Sequence, residues 1–509
     1  MHSANNQKII PFKDLAKISA SLKQAGKTIA HCHGCFDLLH PGHMKHFESA
    51  ARIADVLVVT LTQDKFVNKG PGRPVFTEQV RAEAIAALQC VDYVCINNFP
   101  TAIEPIGQLR PDFYVKGPDY KDQSKDLTNN ISREEEAVKS AGGQLFITDD
   151  ITFSSSKLIN SHFSQLSDQV QRFLEDFKQR FTVDQVISEI DRLSKLKILV
   201  IGDTIIDEYH TCTPLGKSSK SPTISTIYRS GVSYAGGVLA IANHLDQYAE
   251  RVEMMTVLGT ENPQQELIES KLSPSVKPHF FYRNDGPTNT KRRYLDTYLN
   301  LKLFEVTFMN DKHIDSELEA AIIKQLEATI DQVDLVMVAD FGHGLITPNI
   351  IRFLEQSGKY LCINAQTNSN NFGFNYITKY RRCNYISIDE KELRLPFGDA
   401  YGSIESLVKE LASISNCPLI QITLGASGSM FYKDGKSFHT PAFATSVKDS
   451  VGAGDAVLSI TSLLAYQETP VEIIGLVGNC TGSLAVNILG NEHPVYKKDL
   501  TKFISHFIK

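Results

Sequence analysis

Short apolar runs bounded by polar or turn-forming residues recur through the first third of the chain. They are KTIAHCHGCF (27–36), DVLVVTL (55–61), VDYVCI (91–96), PDFYVKG (111–117) and QLFIT (144–148). Between them, stretches such as 42–54 and 77–89 repeat apolar residues at the three-to-four-residue spacing of a helix. Strands alternating with helices predict a parallel sheet flanked by helices, an α/β domain over 1–162. The segment FSQLSDQVQRFLEDFKQRFTVDQVISEIDRLSKL (163–196) is polar, helical in period and free of strand-like runs, and it reads as a helical connector over 163–192. KILVIGDTIIDEY then starts afresh with a buried strand running into Gly-Asp. Further strand-like runs at 335–340, 360–366, 385–388 and 419–425 predict a second α/β domain over 193–509, with no short repeat or low-complexity segment.

Composition narrows the partners. A chain of 509 residues exceeds one ordinary core, so two or more domains are expected. Apolar residues at 42%, charged residues at 22% and a net charge of -6 describe a globular protein and give no bulk attraction for nucleic acid or acidic lipid. The opening MHSANNQKIIPFKDLAKI lacks a basic stretch followed by an apolar one, and no apolar run approaches a bilayer span, so neither a signal nor a membrane partner is expected. Nine cysteines without a CxxC pair suit reduced thiols in the cytoplasm.

Two stretches carry chemistry. In HGCFDLLHPGHMKHF (33–47), His40-Pro41-Gly42-His43 follows the first strand and leads into an amphipathic helix. A strand, a tight turn and a helix N-terminus aim backbone N–H groups and the helix dipole at an anion. Two imidazoles across a Pro-Gly turn could donate to one phosphate chain, and the glycine lets that chain approach the backbone. This suits nucleotidyl transfer, in which positioning and charge stabilisation suffice. A zinc site is the competing reading, because His31, Cys32, His33, Cys35, His40, His43 and His46 lie close in sequence; no second cluster completes it.

In DSVGAGDAVLSI (449–460) a glycine-rich turn opens a helix. The N–H groups of Gly452, Ala453 and Gly454 would form an anion hole for a transferring γ-phosphate, with Asp455 taking the proton of the attacking hydroxyl. A plain helix start with a dipole-favoured Asp is the alternative.

Residues 7–162 resemble the HxGH nucleotidyltransferases, specifically the cytidylyltransferase-like domain that activates heptose 1-phosphate, through GKTIAHCHGCFDLLHPGH, KGPGRPVFTEQVRAEAIAALQCVDYV, LRPDFYVKGPDY and FSSSKLI in order. The resemblance implies a Rossmann-like fold, with His40 and His43 on the triphosphate and Lys45 assisting. Gly34, Phe36 and Asp37 would line the nucleotide site, Lys69 and Arg81 would add cationic contacts, and Lys116 and Asp119 would flank the sugar-phosphate pocket. Ser154, Ser155 and Ser156 would cap a helix at the outer phosphates. His33 stands where this family usually has Asn.

Residues 195–509 resemble the ribokinase/PfkB sugar kinases, most closely heptose 7-phosphate kinases, through ILVIGDTIIDEY, YAGGVLAIANHL, VADFGHGLI, ITLGASGSMFY and DSVGAGD. This implies a ribokinase-like fold with a small β lid, a possible homodimer and Mg-ATP. Asp203 and Asp207 would bind sugar hydroxyls beside Gly236 and Gly237, Glu392 would stand near magnesium, and Gly425 and Gly428 would lie beside ATP. Lys291 and Arg293 would reach a distal phosphate of the substrate. Ala240, His343 and Asn364-Ala365-Gln366 depart from the family pattern, so the sugar pocket is expected to be remodelled.

The leading expectation is a bifunctional enzyme: the kinase phosphorylates a heptose-like sugar phosphate with ATP, and the HxGH domain couples a sugar 1-phosphate to ATP or CTP and releases pyrophosphate. A nucleotidyltransferase with a sensing kinase-like domain, and a cytidylyltransferase for a polyol phosphate, are the alternatives.

Overall fold

The computed structural model describes residues 7–67, 73–118, 130–148, 167–298 and 301–508. The chain divides into two compact units, Met1–Gln165 with Thr501–Lys509, and Leu166–Leu500.

The first unit holds six strands: β1 (Ile9–Ile10), β2 (Ile29–Gly34), β3 (Val56–Thr62), β4 (Tyr93–Asn97), β5 (Phe113–Lys116) and β6 (Gln144–Ile147). Their order is β1-β4-β3-β2-β5-β6, and every pair is parallel. Helices cover both faces, which is why β3 is apolar apart from Thr60 and Thr62. Leu57, Val59 and Leu61 pack with Phe47, Ala50, Ala82 and Ile85 on one side, while Val56 and Val58 meet Leu15 and Leu109 on the other. The chain leaves β2 toward β3 and returns beside it as β5. The crevice beyond the ends of β2 and β5 is therefore a topological switch point, the usual ligand position in such sheets.

In the second unit, helices Asp168–Arg180 and Val183–Arg192 are not an isolated connector. Ser167 caps the first, a Thr182/Gln185 capping box opens the second, and both turn apolar faces inward. Phe173 meets the Phe443 ring, Arg180 pairs with Glu472 at 2.6 Å, and Thr469 donates to Glu189.

The main sheet runs β11-β10-β7-β14-β15-β16-β17-β18-β19, where β7 is Lys197–Gly202, β10 Arg251–Gly259, β11 Lys277–Arg283, β14 Leu335–Asp340, β15 Tyr360–Ala365, β16 Tyr385–Asp389, β17 Leu419–Thr423, β18 Ser429–Lys433 and β19 Lys436–Thr440. It is parallel as far as β17 and antiparallel beyond. A separate four-stranded sheet, β13-β12-β8-β9, forms the lid, from β8 (Thr204–Lys217), β9 (Ile224–Gly237), β12 (Thr290–Asp296) and β13 (Lys302–Phe308). Asp203 stands where the chain passes from β7 into the lid. Beyond the ends of β7 and β14 lies the second switch point. Among the described residues, no helix is long and apolar enough to cross a membrane.

Candidate active sites

In the first unit β2 ends at Gly34, and Phe36, with φ 47°, turns the chain toward His40. His40 is extended, and helix Pro41–Arg52 begins after it with proline in its first turn. The turn brings the His40 and His43 rings into a stack, centroids 3.9 Å apart. Phe36 braces this pair: its ring lies edge-on to His43 at 5.3 Å, packs on Phe47 and covers Gly34. Burial lowers the His40 pKa, which favours a neutral ring at the helix start.

The acidic and basic residues expected around this turn are sorted differently by the structure. Asp37 is buried and accepts from the backbone N–H of Val75 (2.7 Å) and Phe76 (3.3 Å) and from Arg73 Nε. It therefore anchors the segment after β3 over the HPGH turn. Arg81 is 1% exposed and donates to the carbonyls of Cys35, Thr62 and Phe76 and to Asp64. It is a brace between strand ends, whereas Arg73 keeps Nη1 and Nη2 buried without partners. Sequence reasoning missed Arg73; only the partner of Asp37 singles it out. Lys116 forms a buried ion pair with Glu134 (2.9 Å), which also accepts from Tyr114. Lys45 lies on the surface and pairs with Glu48. His31 Nε2 and His33 Nδ1 share the Thr60 hydroxyl at 2.7 and 2.8 Å, and burial takes His33 down to about 3. Burial lowers the His31 pKa as well, so both imidazoles are neutral around the shared hydroxyl. Lys69, Asp119 and Ser154–Ser156 lie outside the described residues.

In the second unit Gly452 (φ 78°) opens the buried helix Ala453–Tyr466. A Cβ at Gly452 would overlap Asn491 Oδ1, while Gly454 faces open space. Asp455, in the first turn, is buried; burial and the charge of Asp207 raise its pKa to about 7, against a lowering by Lys291. Asp449, just upstream, accepts from Tyr209 Oη (2.7 Å), Lys302 Nζ (2.9 Å), and the N–H groups of Val451 and Gly490.

Around the lid, Asp207 pairs with Arg293, which also holds Glu305 at 2.8 Å. Gly236 and Gly237 admit this arrangement, since a Cβ at either would overlap Asp207 or the Asp203 carbonyl. Lys291 is 7% exposed, and burial lowers its pKa while Asp207 and Glu305 raise it. The Asp203 carboxylate accepts from the N–H groups of Phe341, His343 and Leu345, and burial with the Asp340 charge lifts it to about 7. Glu392 closes a capping box with Asp389 and accepts from Thr367 N–H; burial and Asp389 raise it to about 8. Gly425 (φ 56°) and Gly428 (φ 95°) flank the turn between β17 and β18. Asn243 caps Ser273 through its side chain, and Asn364 donates to the Ser387 carbonyl.

Known proteins match each half. A cytidylyltransferase-like family model covers residues 31–161, and the pfkB family carbohydrate kinase model covers 195–496. Bifunctional protein HldE of Syntrophotalea carbinolica is 36% identical over 156 residues, 28% of this chain and 32% of that protein. Its namesake in Campylobacter jejuni is 42% identical over 150 residues, 29% of this chain and 30% of the relative. Both matches fall on the N-terminal domain, so the chain spans about a third of the length of these curated relatives. Phosphofructokinase-2 from Escherichia coli, solved with substrates and products, shares the fold over 62% of this chain and 100% of its own, with TM-score 0.50 and 12% identity. With more than half of its length matched by the second model, behind a cytidylyltransferase-like domain, the chain belongs to the pfkB family of carbohydrate kinases.

Proposed function

We propose that the chain is a bifunctional enzyme of nucleotide-sugar synthesis. The second unit phosphorylates a heptose-7-phosphate-like sugar with ATP, and the first transfers a nucleoside monophosphate from ATP or CTP to a sugar 1-phosphate. The observation that supports this reading is a compact turn in each unit that leads into a helix: His40 and His43 stack at the start of Pro41–Arg52, with the nearby Asp37 holding Arg73 whose Nη atoms have no partner, and Gly452 opens the helix that carries Asp455.

In the kinase step the sugar hydroxyl attacks the γ-phosphorus, its proton passes to Asp455, and ADP leaves; N–H groups of the Gly452 turn receive the transferring oxygens. In the transferase step a sugar phosphate oxygen attacks the α-phosphorus and pyrophosphate leaves, with His40, His43 and Arg73 donating to the charge that develops. Magnesium bound with the nucleotide would supply neutralisation of its phosphates, and Glu392 would stand nearest to it. The described residues hold no cluster of three metal-binding side chains, and Glu392 already accepts backbone N–H bonds through both oxygens, so its fit is to the ion's water shell.

The partners are a sugar phosphate and a nucleoside triphosphate, with neither nucleic acid nor membrane. A second copy of the chain meets the apolar outer face of the lid. Nine unpaired cysteines fit the cytoplasm. A sensing role for the kinase-like unit draws on Asp203 and Arg293 being engaged internally.

The deciding experiment incubates the purified chain with heptose 7-phosphates and sugar 1-phosphates against ATP, CTP and GTP, with mass spectrometry of the products. ADP from a sugar and pyrophosphate from a sugar 1-phosphate are expected. Pyrophosphate without any sugar-dependent ADP would establish the sensing alternative.

A further inference from the structure

At the edge of the second unit's main sheet opposite its switch point lies a cleft that neither proposed reaction uses. It has a volume of about 430 Å³, within the range of small-molecule sites, and it opens where β15, β16 and β17 begin. These three strands are parallel, and the Asp389–Glu392 capping box and the Gly425 turn follow at their far ends. Five or six residues of strand put about 16–20 Å between the two edges.

The lining consists of donors on fixed backbone. Glu355, near the end of helix Pro348–Gln356, accepts from the N–H groups of Arg381 (2.5 Å) and Arg382 (3.1 Å), and so fixes the chain that carries the Arg382 guanidinium. That guanidinium is exposed and has no partner among the described residues. Asn384 takes the Leu361 N–H on Oδ1 at 2.9 Å, which leaves its Nδ2 for the cleft. Lys359 donates to the carbonyls of Val333 (3.0 Å) and Asp331 (3.5 Å) and keeps a third N–H. Asn416 closes helix Ile404–Ser415 in the left-handed conformation (φ 43°), spends its N–H on the Ala412 carbonyl and adds its side chain to the lining.

Two cations and two amides thus surround one volume, against a single carboxylate already engaged by backbone N–H groups. Such a set calls for an anion. A carboxylate offers two oxygens, which one guanidinium fork satisfies, whereas a phosphate monoester offers three and can engage guanidinium, ammonium and amide together. Pro418 gives the organic part an apolar wall. We propose that this cleft is a ligand site apart from the catalytic centres, one that takes a phosphorylated metabolite by its phosphate group.

Hydrogen–deuterium exchange on the full chain reads the site locally, with inorganic phosphate, heptose 7-phosphate and ADP as probes. Peptides covering 358–361, 381–384 and 416–418 should gain protection, and one of the two organic phosphates should act at lower concentration than inorganic phosphate. The tighter of them tells whether the metabolite is a sugar phosphate or a nucleotide. Arg382→Gln and Lys359→Met, each losing a charged hydrogen bond, should raise that midpoint by about 10–100-fold, with thermal melting as the check on folding. Absence of protection at these peptides with every probe, or protection that survives both substitutions, overturns the proposal. Protection by inorganic phosphate that neither organic phosphate improves marks an adventitious ion only and overturns it as well. Cleft protection in a chain that releases no ADP from any sugar upholds the proposal while the kinase reading falls.

Discussion

Asp455 shows how surroundings tune one side chain for the base role proposed for it. Burial and the Asp207 charge lift it to about 7, and Lys291 opposes them. A base must be ionised to accept a proton, so sugar kcat/KM should rise with pH through about 7. Lys291→Met should move that midpoint upward, because the cation that favours the charged form is gone. Asp455→Asn should lower kcat by about 10²–10⁴-fold and leave pyrophosphate release intact. The same shift bears on stability. The folded state holds Asp455 protonated where the unfolded chain ionises it, so this contribution is present below the ordinary carboxylate range and is lost as pH rises through about 7. Relative to pH 4, Asp455→Asn should gain in Tm over wild type up to about pH 7 and hold a constant advantage above it; calorimetry across pH checks this. In the first unit, His40→Asn or His43→Asn should cut pyrophosphate release by about 10²–10³-fold with kinase turnover preserved. These residues were legible because their motifs combine glycine, turn and chemistry in a few positions. Arg73 was not singled out beside Arg81, since both lie on one segment and only their partners differ: Arg81 spends its donors on three backbone carbonyls and Asp64, while Arg73 bonds Asp37 through Nε alone.

Among the elements, the lid is tied to the Gly452 turn through Asp449. Tyr209 reaches it from β8 and Lys302 from β13, while Asp449 accepts from Val451 N–H inside the turn itself. Burial alone would raise its pKa; these donors hold it below the ordinary carboxylate range. A lid that moves therefore disturbs the carboxylate that holds the Gly452 turn. Tyr209→Phe and Lys302→Met should each lower sugar-kinase kcat about 5–20-fold, on the scale of one hydrogen bond to a charged group, with pyrophosphate release unaffected. A kcat equal to wild type in both variants would show the lid and the turn to be independent. This linkage was not visible in the sequence. The parallel strands announce themselves as apolar runs, but β9 and β13 are mostly exposed along their length, and no buried-face period marks them.

The whole molecule places one parallel sheet and one mostly parallel sheet where the alternation of strands and helices put them, because strands buried on both faces are predominantly apolar. What sequence periodicity could not show is a sheet with inverted polarity. The lid puts Asp207, Lys291, Arg293 and Glu305 on one face, where Arg293 pairs with both Asp207 and Glu305. The residues alternating with them put Arg292, Tyr294, Phe304, Val306 and Phe308 on the opposite face, where Tyr294 stacks on Phe304 and Arg292 covers Phe308. Phe304 is 52% exposed and Tyr228, in contact with His210 on the same side, 57%. A sheet that is charged on one face and aromatic on the other leaves an apolar face in water, which costs about 25 cal/mol for each Å² left uncovered. Covering it with the same face of a second copy is the self-complementary solution that twofold symmetry permits. Sedimentation of the full chain should therefore give a dimer. Phe304→Asp with Tyr228→Asp should shift it to monomer at micromolar concentration, with pyrophosphate release preserved. A wild type that sediments as a monomer, or a double variant that remains dimeric, would remove the lid face as the interface.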